Sequence, residues 1–289
     1  MSAVPADQTN AAVDRVLSKT KEIAVLPQVV YKIMEMTSST DSSAAMLEEA
    51  IVIDPGFSAK ILTQANSAFY GLPKKVTSIR EAVAFLGFKA VRQLGMAVGV
   101  FDLFVGKTDA ESIRRRTWWR HSLDTAVCCR FIASKVNNAC GEEAYTIGLL
   151  HYIGKTLIDR SNPAEYDKVM MLVERGASDL QAEQAVFGCD HVNVGAAATV
   201  NWGFPEMLVQ GMDYINRPDD SCEYRELRAL VGLADRVAHI VMDGKTNEEW
   251  DTGAVQNWTL ETLEVDRDDL KKIIDGSTEA IAAAASLAF

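Results

Sequence analysis

The chain has 289 residues, of which 48% are hydrophobic and 24% are charged, as in an ordinary globular protein. Its net charge of -11 at pH 7 argues against a general nucleic-acid binder, because phosphate affinity depends on clustered Lys and Arg. The apolar runs are too short for a membrane span, and no basic-then-apolar signal sequence is present, so we expect a cytoplasmic protein without membrane insertion.

Helical periodicity and clear helix-start signals dominate the first third of the chain. Pro27 fits the first turn of one helix, and Asp54 followed by Pro55 predicts the N-cap of another, which ends near Gly71. Ser78 with Glu81 three residues later predicts a capping box before a short helix. A longer apolar helix should run from residue 88 to about 105, so five or six helices are expected in this third.

Polar residues 106–112 mark the expected domain boundary, which divides the chain into domains 1–110 and 111–289. A long helix should begin near Ile113 and end near Val136. Further helices are expected at 142–159, 163–175, 178–187 (with a capping box at Ser178), 190–202, 205–214, 223–242 and from 268 to the end. Segment 244–262 is predicted to be rich in loops. Strand patterns are almost absent, so we predict an all-α protein with two helical bundles packed on each other.

Cysteines and Gly-Lys-Thr triplets exclude two common kinds of site. Five cysteines without a Cys-x-x-Cys pair indicate neither a disulfide framework nor a structural zinc site built from thiolates. The triplets beginning at Gly106, Gly154 and Gly244 lack the earlier Gly and the preceding strand that a phosphate-binding P-loop requires. The basic run Arg114 to Arg116 is interpreted as a solvated first turn of a helix.

Three of the four histidines, His121, His151 and His191, lie in separate predicted helices. Facing helices of a bundle can bring such ligands together, and Asp235 from a fourth helix could complete a metal site. The alternative, which the residues alone favour, is that each imidazole is a core or surface group with one hydrogen-bond partner. The fourth, His239, lies four residues after Asp235 and is expected to form only a local ion pair.

The chain resembles the HDOD family, the HD-related output domain, a non-catalytic branch related to the HD and HD-GYP phosphohydrolases. The resemblance extends over about residues 20 to 245. Its motifs in the first domain are Asp54-Pro55-Gly56-Phe57, Lys60-Ile61-Leu62, Ala65 to Gly71, Ile79 to Ala82 and Leu86-Gly87. In the second domain they are Trp119 to Ser122, Gly148 to Lys155, Gly188 to His191 with Gly195, Trp202 to Pro205 and Ala234 to Arg236.

The catalytic HD pattern implies a His at 121, His-Asp at 151 and 152, a His near 191, imidazoles near 214 and 215, and an Asp at 235. The chain keeps His121, His151, His191 and Asp235, but it carries Tyr152 in place of the Asp and Tyr214-Ile215 in place of the imidazoles. A phenol is neutral at pH 7, where a carboxylate is charged. The resemblance therefore implies an HD-like bundle with a degenerate metal site, which could hold one weakly bound divalent ion on the four retained residues.

By this resemblance we expect a non-catalytic output or adaptor protein of signal transduction, with no required cofactor. It would bind a signalling protein partner, or a small molecule or nucleotide in the vestigial pocket of His121, His151, Tyr152, His191, Tyr214 and Asp235. One alternative is a phosphohydrolase with a reduced one-metal site, and another is a non-catalytic nucleotide sensor.

The expected partner surface lies at the end of a predicted helix in the first domain. It comprises Asn66, Phe69 and Tyr70, followed by Lys74 and Lys75. Core packing with a turn would explain the same pattern equally well.

Overall fold

The computed structural model describes residues 6–20, 28–38, 43–105, 109–136, 140–244 and 256–285. In these ranges the regular structure is helical and contains no strand, which confirms the all-α prediction. None of the described helices is both long and apolar enough to cross a membrane. The helices are α1 Ala6–Thr20, α2 Gln28–Ser38, α3 Ala44–Val52, α4 Pro55–Ala65, α5 Ile79–Leu86, α6 Phe88–Phe104, α7 Asp109–Lys135, α8 Gly141–Leu150, α9 Ile153–Ser161, α10 Pro163–Glu174, α11 Asp179–Phe187, α12 His191–Asn201, α13 Glu206–Gly211, α14 Arg225–Met242, α15 Asn257–Thr262 and α16 Arg267–Ala284.

The helix predicted for residues 142–159 is in fact two helices, α8 and α9, separated at His151 and Tyr152. In a continuous helix the Gly148 carbonyl would accept the N–H of Tyr152. Here that carbonyl accepts the Nδ1–H of His151 at 2.6 Å. The break thus coincides with the two residues that mark the expected site, and it sets both side chains at the junction of two helices.

Other predicted bounds differ at their ends. Helix α7 begins at Asp109 rather than near Ile113, and α13 is shorter than the predicted 205–214. Helix α15 lies inside the segment 244–262 that was predicted to be rich in loops, so that prediction is wrong for residues 257–262. Pro27 lies outside the described residues.

Helix caps explain why most starts could be predicted. Asp54 and Ser178 accept the expected backbone N–H groups, and Ser178 with Gln181 forms a complete capping box. Ser78 accepts from the N–H of Glu81, but the Glu81 carboxylate accepts from Thr77 instead of closing the box. The predicted box at Ser78 is therefore only half formed.

The chain divides into two compact units rather than at a single boundary near 110. The larger unit comprises Met1–Val25 and Phe104–Thr278, and the smaller unit comprises Leu26–Leu103 and Glu279–Phe289. The predicted domain 1–110 is thus corrected at its start: α1 packs against α9 and α12 of the larger unit. It does so because its apolar face of Ala12, Val13 and Val16 is buried.

Glycines in α6 allow the smaller unit to pack closely. A Cβ added at Gly95 would lie 2.5 Å from the Ile33 side chain, and one at Gly99 would lie 2.1 Å from that of Val30. Both neighbours belong to α2 and are fully buried. The two glycines therefore let α2 and α6 approach without a gap.

In the larger unit, α7 packs against both α8 and α14, and α9 packs against α12. The contact between α9 and α12 is so close that a Cβ added at Gly154 of α9 would lie 1.9 Å from the carbonyl oxygen of His191. Together these packings bring the α8–α9 junction next to α7, α12 and α14, where the predicted site residues lie.

Candidate functional site

Three of the predicted site residues converge on one carboxylate oxygen. His121 of α7 places Nε2 2.8 Å from Oδ1 of Asp235, which lies on α14. His151, at the α8–α9 junction, places Nε2 3.4 Å from the same oxygen. The rings of both histidines are almost fully buried, whereas 19% of the Asp235 side chain is exposed. The convergence that was inferred from separate helices is therefore present for these three residues.

His239 is the fourth member of this group, and sequence reasoning underestimated it. Its Nε2 lies 3.7 Å from Asp235 Oδ1, one helical turn away on α14. Its ring centroid is also 4.1 Å from that of His121, which belongs to a different helix. His239 thus faces His121 as well as its neighbour Asp235. One ligand atom from each of His121, Asp235 and His239 lies within 4.8 Å of the other two. We call His121, His151, Asp235 and His239 the imidazole cluster.

His191, by contrast, is held by a different carboxylate. Its Nδ1 and its backbone N–H donate to Glu183 Oε2, at 2.6 and 2.8 Å, and the other Glu183 oxygen accepts from the Tyr166 hydroxyl at 2.9 Å. Burial alone would raise the pKa of Glu183, but His191 and Lys155 outweigh it and keep that pKa below its usual value. No sequence motif marks Glu183 as a site residue, because its pairing with His191 depends on how folding places α11 beside the start of α12.

Tyr152 lies where the HD pattern has an Asp, and its phenol is part of the packed interior. The ring is 4.2 Å from that of His151 and 4.7 Å from that of His121, between centroids. Burial raises the pKa of Tyr152 well above its usual value, so the hydroxyl stays protonated. It lies 3.0 Å from Nε2 of His239, to which it can donate a hydrogen bond.

Lys155 is a further buried neighbour of Tyr152. Its side chain is 2% exposed, and its ammonium lies 4.2 Å from the Tyr152 ring centroid and 2.9 Å from Asp179 Oδ2. The phenol ring therefore contacts an ammonium as well as the imidazole cluster. In the sequence Lys155 belongs to a rejected P-loop triplet and to the motif from Gly148 to Lys155, and neither indicated that its ammonium is buried, which is rare for a lysine.

Tyr214 fills the position where the HD pattern has an imidazole. It is 2% exposed, and its ring centroid lies 5.5 Å from that of His151. Burial raises its pKa well above the usual value, so it too is neutral. Both predicted substitutions, Tyr152 and Tyr214, therefore line the same site as uncharged aromatic rings.

The protonation states of the imidazole cluster follow from burial and from Asp235. Burial lowers the pKa of His121 to about 3, despite its hydrogen bond to Asp235, and burial also lowers the pKa of His239. Burial would raise the pKa of Asp235, but its contacts with His121 and His151 hold it well below its usual range. At pH 7 Asp235 is thus an ionised carboxylate, and His121 and His239 are neutral imidazoles, the forms in which these groups ligate metals.

The metal centre that the HD pattern implies fits these residues only in reduced form. Two metal ions do not fit, because Asp235 is the only carboxylate that reaches the imidazole cluster among the described residues, and Glu183 is committed to His191 and Tyr166. One ion fits better. The His151 Nε2 and the His121 Nδ1 are buried and have no hydrogen-bond partner among the described residues. Neutral imidazoles and one carboxylate could hold such an ion and would polarise a bound water or phosphate if a coordination position remained open.

Arg115 is buried and Arg114 is largely buried, which corrects the interpretation of the run Arg114 to Arg116 as solvated for these two residues. Arg115 is 1% exposed and contacts the fully buried Asp159 at 2.5 Å. Arg114 also pairs with Asp159, and with Asp167 at 2.7 Å. Only Arg116 is exposed. Because α7 begins four residues earlier than predicted, these side chains lie within the helix and pair with α9 and α10.

Asn66 of the predicted partner surface has a structural role. Its amide donates to the carbonyls of Leu62 and Val76, at 2.8 and 2.9 Å, and its oxygen accepts from the N–H of Val76 at 2.8 Å. These bonds close the segment between residues 66 and 76 into a loop. The interpretation as a turn, which the sequence left open, applies to this residue.

The other four residues of that surface lie on the closed loop. Phe69 and Tyr70 are half-buried and pack edge to face with ring centroids 4.8 Å apart. Lys74 and Lys75 are exposed, and the Lys74 ammonium lies 5.3 Å from the Phe85 ring centroid. The loop therefore presents two ammonium groups beside partly exposed aromatic rings.

The helical fold and the motif spacing agree with a match to a known protein family. The HDOD domain model matches residues 23–218. This chain belongs to the HDOD family. The HDOD match ends before α14, so Asp235 and His239 lie outside the matched residues. The predicted resemblance is confirmed.

Solved structures and a curated relative show the same relationship. A Geobacter sulfurreducens HDOD domain protein of unknown function has a TM-score of 0.79 at 24% identity, over 97% of this chain and 98% of that one. A Shewanella amazonensis SB2B protein named "Putative phosphohydrolase" has a TM-score of 0.73 at 26% identity, over 95% and 98% of the two chains. An uncharacterized protein of Treponema pallidum (strain Nichols) is 25% identical over 234 residues, or 78% of this chain. The chain spans 44% of that relative's length.

Proposed function

We propose that this HDOD protein is a non-catalytic output or adaptor module of a signalling system, which acts by binding a protein partner or a small ligand. The observation that carries the proposal is Tyr152. A two-metal phosphohydrolase needs the carboxylate that belongs at this position, since a bridging carboxylate holds both ions close to the scissile phosphate. Here a neutral, buried phenol takes its place and donates to His239.

A second feature supports loss of hydrolysis with retention of the scaffold. Tyr214 packs beside His151 where the HD pattern has an imidazole, and residue 215 is Ile. His191, which the HD pattern places in the site, is not among the histidines that pair with Asp235 in the described residues. Loss of even an outer partner of a metal ligand lowers affinity or activity roughly 10- to 100-fold. Two missing donor positions should therefore abolish a two-metal reaction.

A one-metal phosphohydrolase is the second candidate, because the imidazole cluster retains a carboxylate and three imidazoles around one point. The name of the Shewanella amazonensis relative is in keeping with this candidate. It requires an open coordination position for water, and the four donors of the cluster would use the positions of a tetrahedral ion.

Hydrolysis assays on metal-loaded protein test the proposal against this candidate. Purified protein is loaded in turn with Mn²⁺, Fe²⁺ and Zn²⁺ and incubated with bis(p-nitrophenyl) phosphate and with cyclic dinucleotides. We expect product formation no faster than in the Asp235→Asn variant. Metal-dependent turnover that is lost in both Asp235→Asn and His151→Ala would overturn the proposal and establish the second candidate.

Binding is tested separately on the loop that carries Lys74 and Lys75. The tagged full-length protein is cross-linked in its native cells, and its partners are compared with those of the double variant Lys74→Glu/Lys75→Glu. The matched control is Lys168→Glu/Lys271→Glu, two exposed lysines of the larger unit. A partner that is lost with the first pair and retained with the second supports an adaptor role through this loop. Identical partners for all three proteins would remove the loop from the proposal.

Nucleotide binding without turnover, the remaining alternative, is distinguished by thermal unfolding. A ligand at about a hundred times its dissociation constant stabilises the folded state by roughly 2.7 kcal/mol. Thermal unfolding is therefore followed with cyclic dinucleotides and with mono- and dinucleotides. An increase in Tm without product formation identifies a nucleotide sensor, and an unchanged Tm with every nucleotide leaves the protein partner as the ligand.

A further inference from the structure

We infer that His121, His151, Asp235 and His239, the imidazole cluster, form a closed site for one divalent transition-metal ion of the zinc type, which stabilises the fold and performs no hydrolysis. The inference extends the proposed function at the same place in the molecule. It differs from the ligand set that the HD pattern implies, because His239 replaces His191.

The strongest evidence is the orientation of His151. Its Nδ1 lies 2.6 Å from the Gly148 carbonyl, which can only accept, so Nδ1 carries the proton. Its other nitrogen, Nε2, lies 3.4 Å from Oδ1 of Asp235. A cation between these two atoms would satisfy a buried nitrogen that otherwise makes no hydrogen bond. His151 Nε2 is fully buried and has no hydrogen-bond partner among the described residues.

The separations of the four donors suit a single small ion. Ligands about 2.1 Å from a tetrahedral zinc ion lie roughly 3.4 Å from each other. From Oδ1 of Asp235, the Nε2 atoms of His121, His151 and His239 lie at 2.8, 3.4 and 3.7 Å. These three separations bracket the value expected for a tetrahedral ion.

The chemistry of the donors also favours zinc. Three imidazoles and one carboxylate are borderline donors that zinc accepts, whereas magnesium and calcium prefer oxygen ligands. Asp235 and His239 are 19% and 28% exposed, so both side chains are in part accessible to solvent. Once four protein atoms are bound, a tetrahedral ion has no position left for a water nucleophile. Such a site is structural.

His191 is not part of the group that meets Asp235. Among the described ion pairs Asp235 contacts His121, His151 and His239 but not His191, and the Tyr152 ring lies against the His191 ring with centroids 5.2 Å apart. His239, in contrast, accepts a hydrogen bond from the Tyr152 hydroxyl at the same Nε2 that faces Asp235. An ion that takes this lone pair displaces the phenol hydrogen bond. Removing the hydroxyl should therefore strengthen metal binding.

The experiment compares two single substitutions of equal size. Wild type, His239→Gln and His191→Gln are purified, treated with a chelator and titrated with Zn²⁺, and metal content is measured by mass spectrometry after gel filtration. Cobalt loading provides a visible absorption spectrum that reports tetrahedral coordination. We expect one ion per wild-type chain, more than tenfold weaker binding for His239→Gln, and wild-type binding for His191→Gln. Tyr152→Phe should bind at least as tightly as wild type.

Several outcomes would overturn the inference. They are a wild-type chain that binds no zinc or cobalt at micromolar concentration, weaker binding in His191→Gln but not in His239→Gln, or a Tm that zinc leaves unchanged. If His239→Gln does not fold, Tyr152→Phe and the zinc dependence of the wild-type Tm still decide the question. Zinc binding with hydrolysis would overturn the proposed function and the closed, structural character of the site. A protein that neither binds zinc nor hydrolyses the substrates would overturn the inferred metal site and leave the proposed function standing.

Discussion

The hydroxyl of Tyr152 lies 3.0 Å from Nε2 of His239, on a helix 87 residues later in the chain. This contact explains how a phenol is accommodated where the catalytic relatives of the HDOD family have a carboxylate. A buried hydroxyl needs a partner, and the imidazole provides one without an ion. The Tyr152 hydroxyl is therefore satisfied by a side chain of the protein itself.

Restoring a carboxylate at this position should restore metal affinity. In Tyr152→Asp, the new carboxylate would face the imidazole cluster, and the Lys155 ammonium, which now lies 4.2 Å from the phenol ring, would keep it ionised. We expect at least tenfold tighter Mn²⁺ binding than in wild type, measured by calorimetry. Tyr152→Asn, with nearly the same shape and no charge, is the control. Equal affinities of the two variants would show that space, and not charge, limits binding.

The pair of Lys155 and Asp179 should make stability depend on pH below neutrality. Burial alone would raise the pKa of Asp179, but Lys155 at 2.9 Å outweighs it and the pKa is lowered. A carboxylate with a lowered pKa in the folded state stabilises the protein above its unfolded pKa of about 3.9, and the contribution is lost as the pH falls through the folded value.

Asp179→Asn should therefore be less stable than wild type by about 1 to 3 kcal/mol at pH 7, because it leaves a buried ammonium unpaired. The difference should shrink as the pH falls below about 4. Urea unfolding between pH 3 and pH 7 measures it. The control is Asp167→Asn, whose side chain is 67% exposed, and we expect a loss below about 1 kcal/mol at every pH. A constant difference between Asp179→Asn and wild type over this range would contradict the role of the charge.

The neighbouring residues Arg115 and Arg116 should differ sharply in their contribution to the free energy of unfolding. Arg115→Met leaves the fully buried Asp159 with a weaker set of partners, and we expect a loss of about 3 kcal/mol in the free energy of unfolding. Arg116→Met removes an exposed charge and should change stability by less than about 0.5 kcal/mol. Equal effects in chemical denaturation would mean that the basic run is solvated after all.

Adding one methyl group at Gly154 should disrupt the packing of α9 against α12. The new Cβ would lie 1.9 Å from the carbonyl oxygen of His191, and backbone atoms cannot move aside as a flexible side chain can. We expect Gly154→Ala to lose about 2 kcal/mol or more, since overpacking alone costs 1 to 3 kcal/mol. At Gly56 a Cβ would meet the Asp54 carboxylate oxygen at 3.3 Å, a side-chain contact that a shift of a few tenths of an ångström relieves, so Gly56→Ala should cost much less than Gly154→Ala. Thermal unfolding of both variants measures the contrast.

The helices of this protein could be predicted from the sequence because their starts carry local signals. Asp54 before Pro55 and Ser178 before Gln181 act within four residues, and these interactions do not depend on the rest of the fold. The break at His151 could not be found in this way. The break depends on the hydrogen bond from the His151 imidazole to the Gly148 carbonyl, and hydrophobic periodicity does not predict that bond.

The site shows the same limit. Separate helices correctly indicated that His121, His151 and Asp235 could meet, yet the sequence assigned His191 to the group and treated His239 as a local partner of Asp235. Whether His191 or His239 joins the site depends on which carboxylate each imidazole contacts after folding. Glu183 on α11 is the partner of His191, and no spacing in the chain links the two to a known motif.

Asn66 has a consequence for which parts of this protein can vary in sequence. Its side chain makes one hydrogen bond to Leu62 of α4 and two to Val76, so one amide fixes the distance between the two ends of the loop. Residues 67–75 should then tolerate exchange with little effect on the helices on either side, much as a hypervariable loop is exchanged on a constant framework. The sequence of this loop can thus change at little cost in stability, provided that the asparagine is kept.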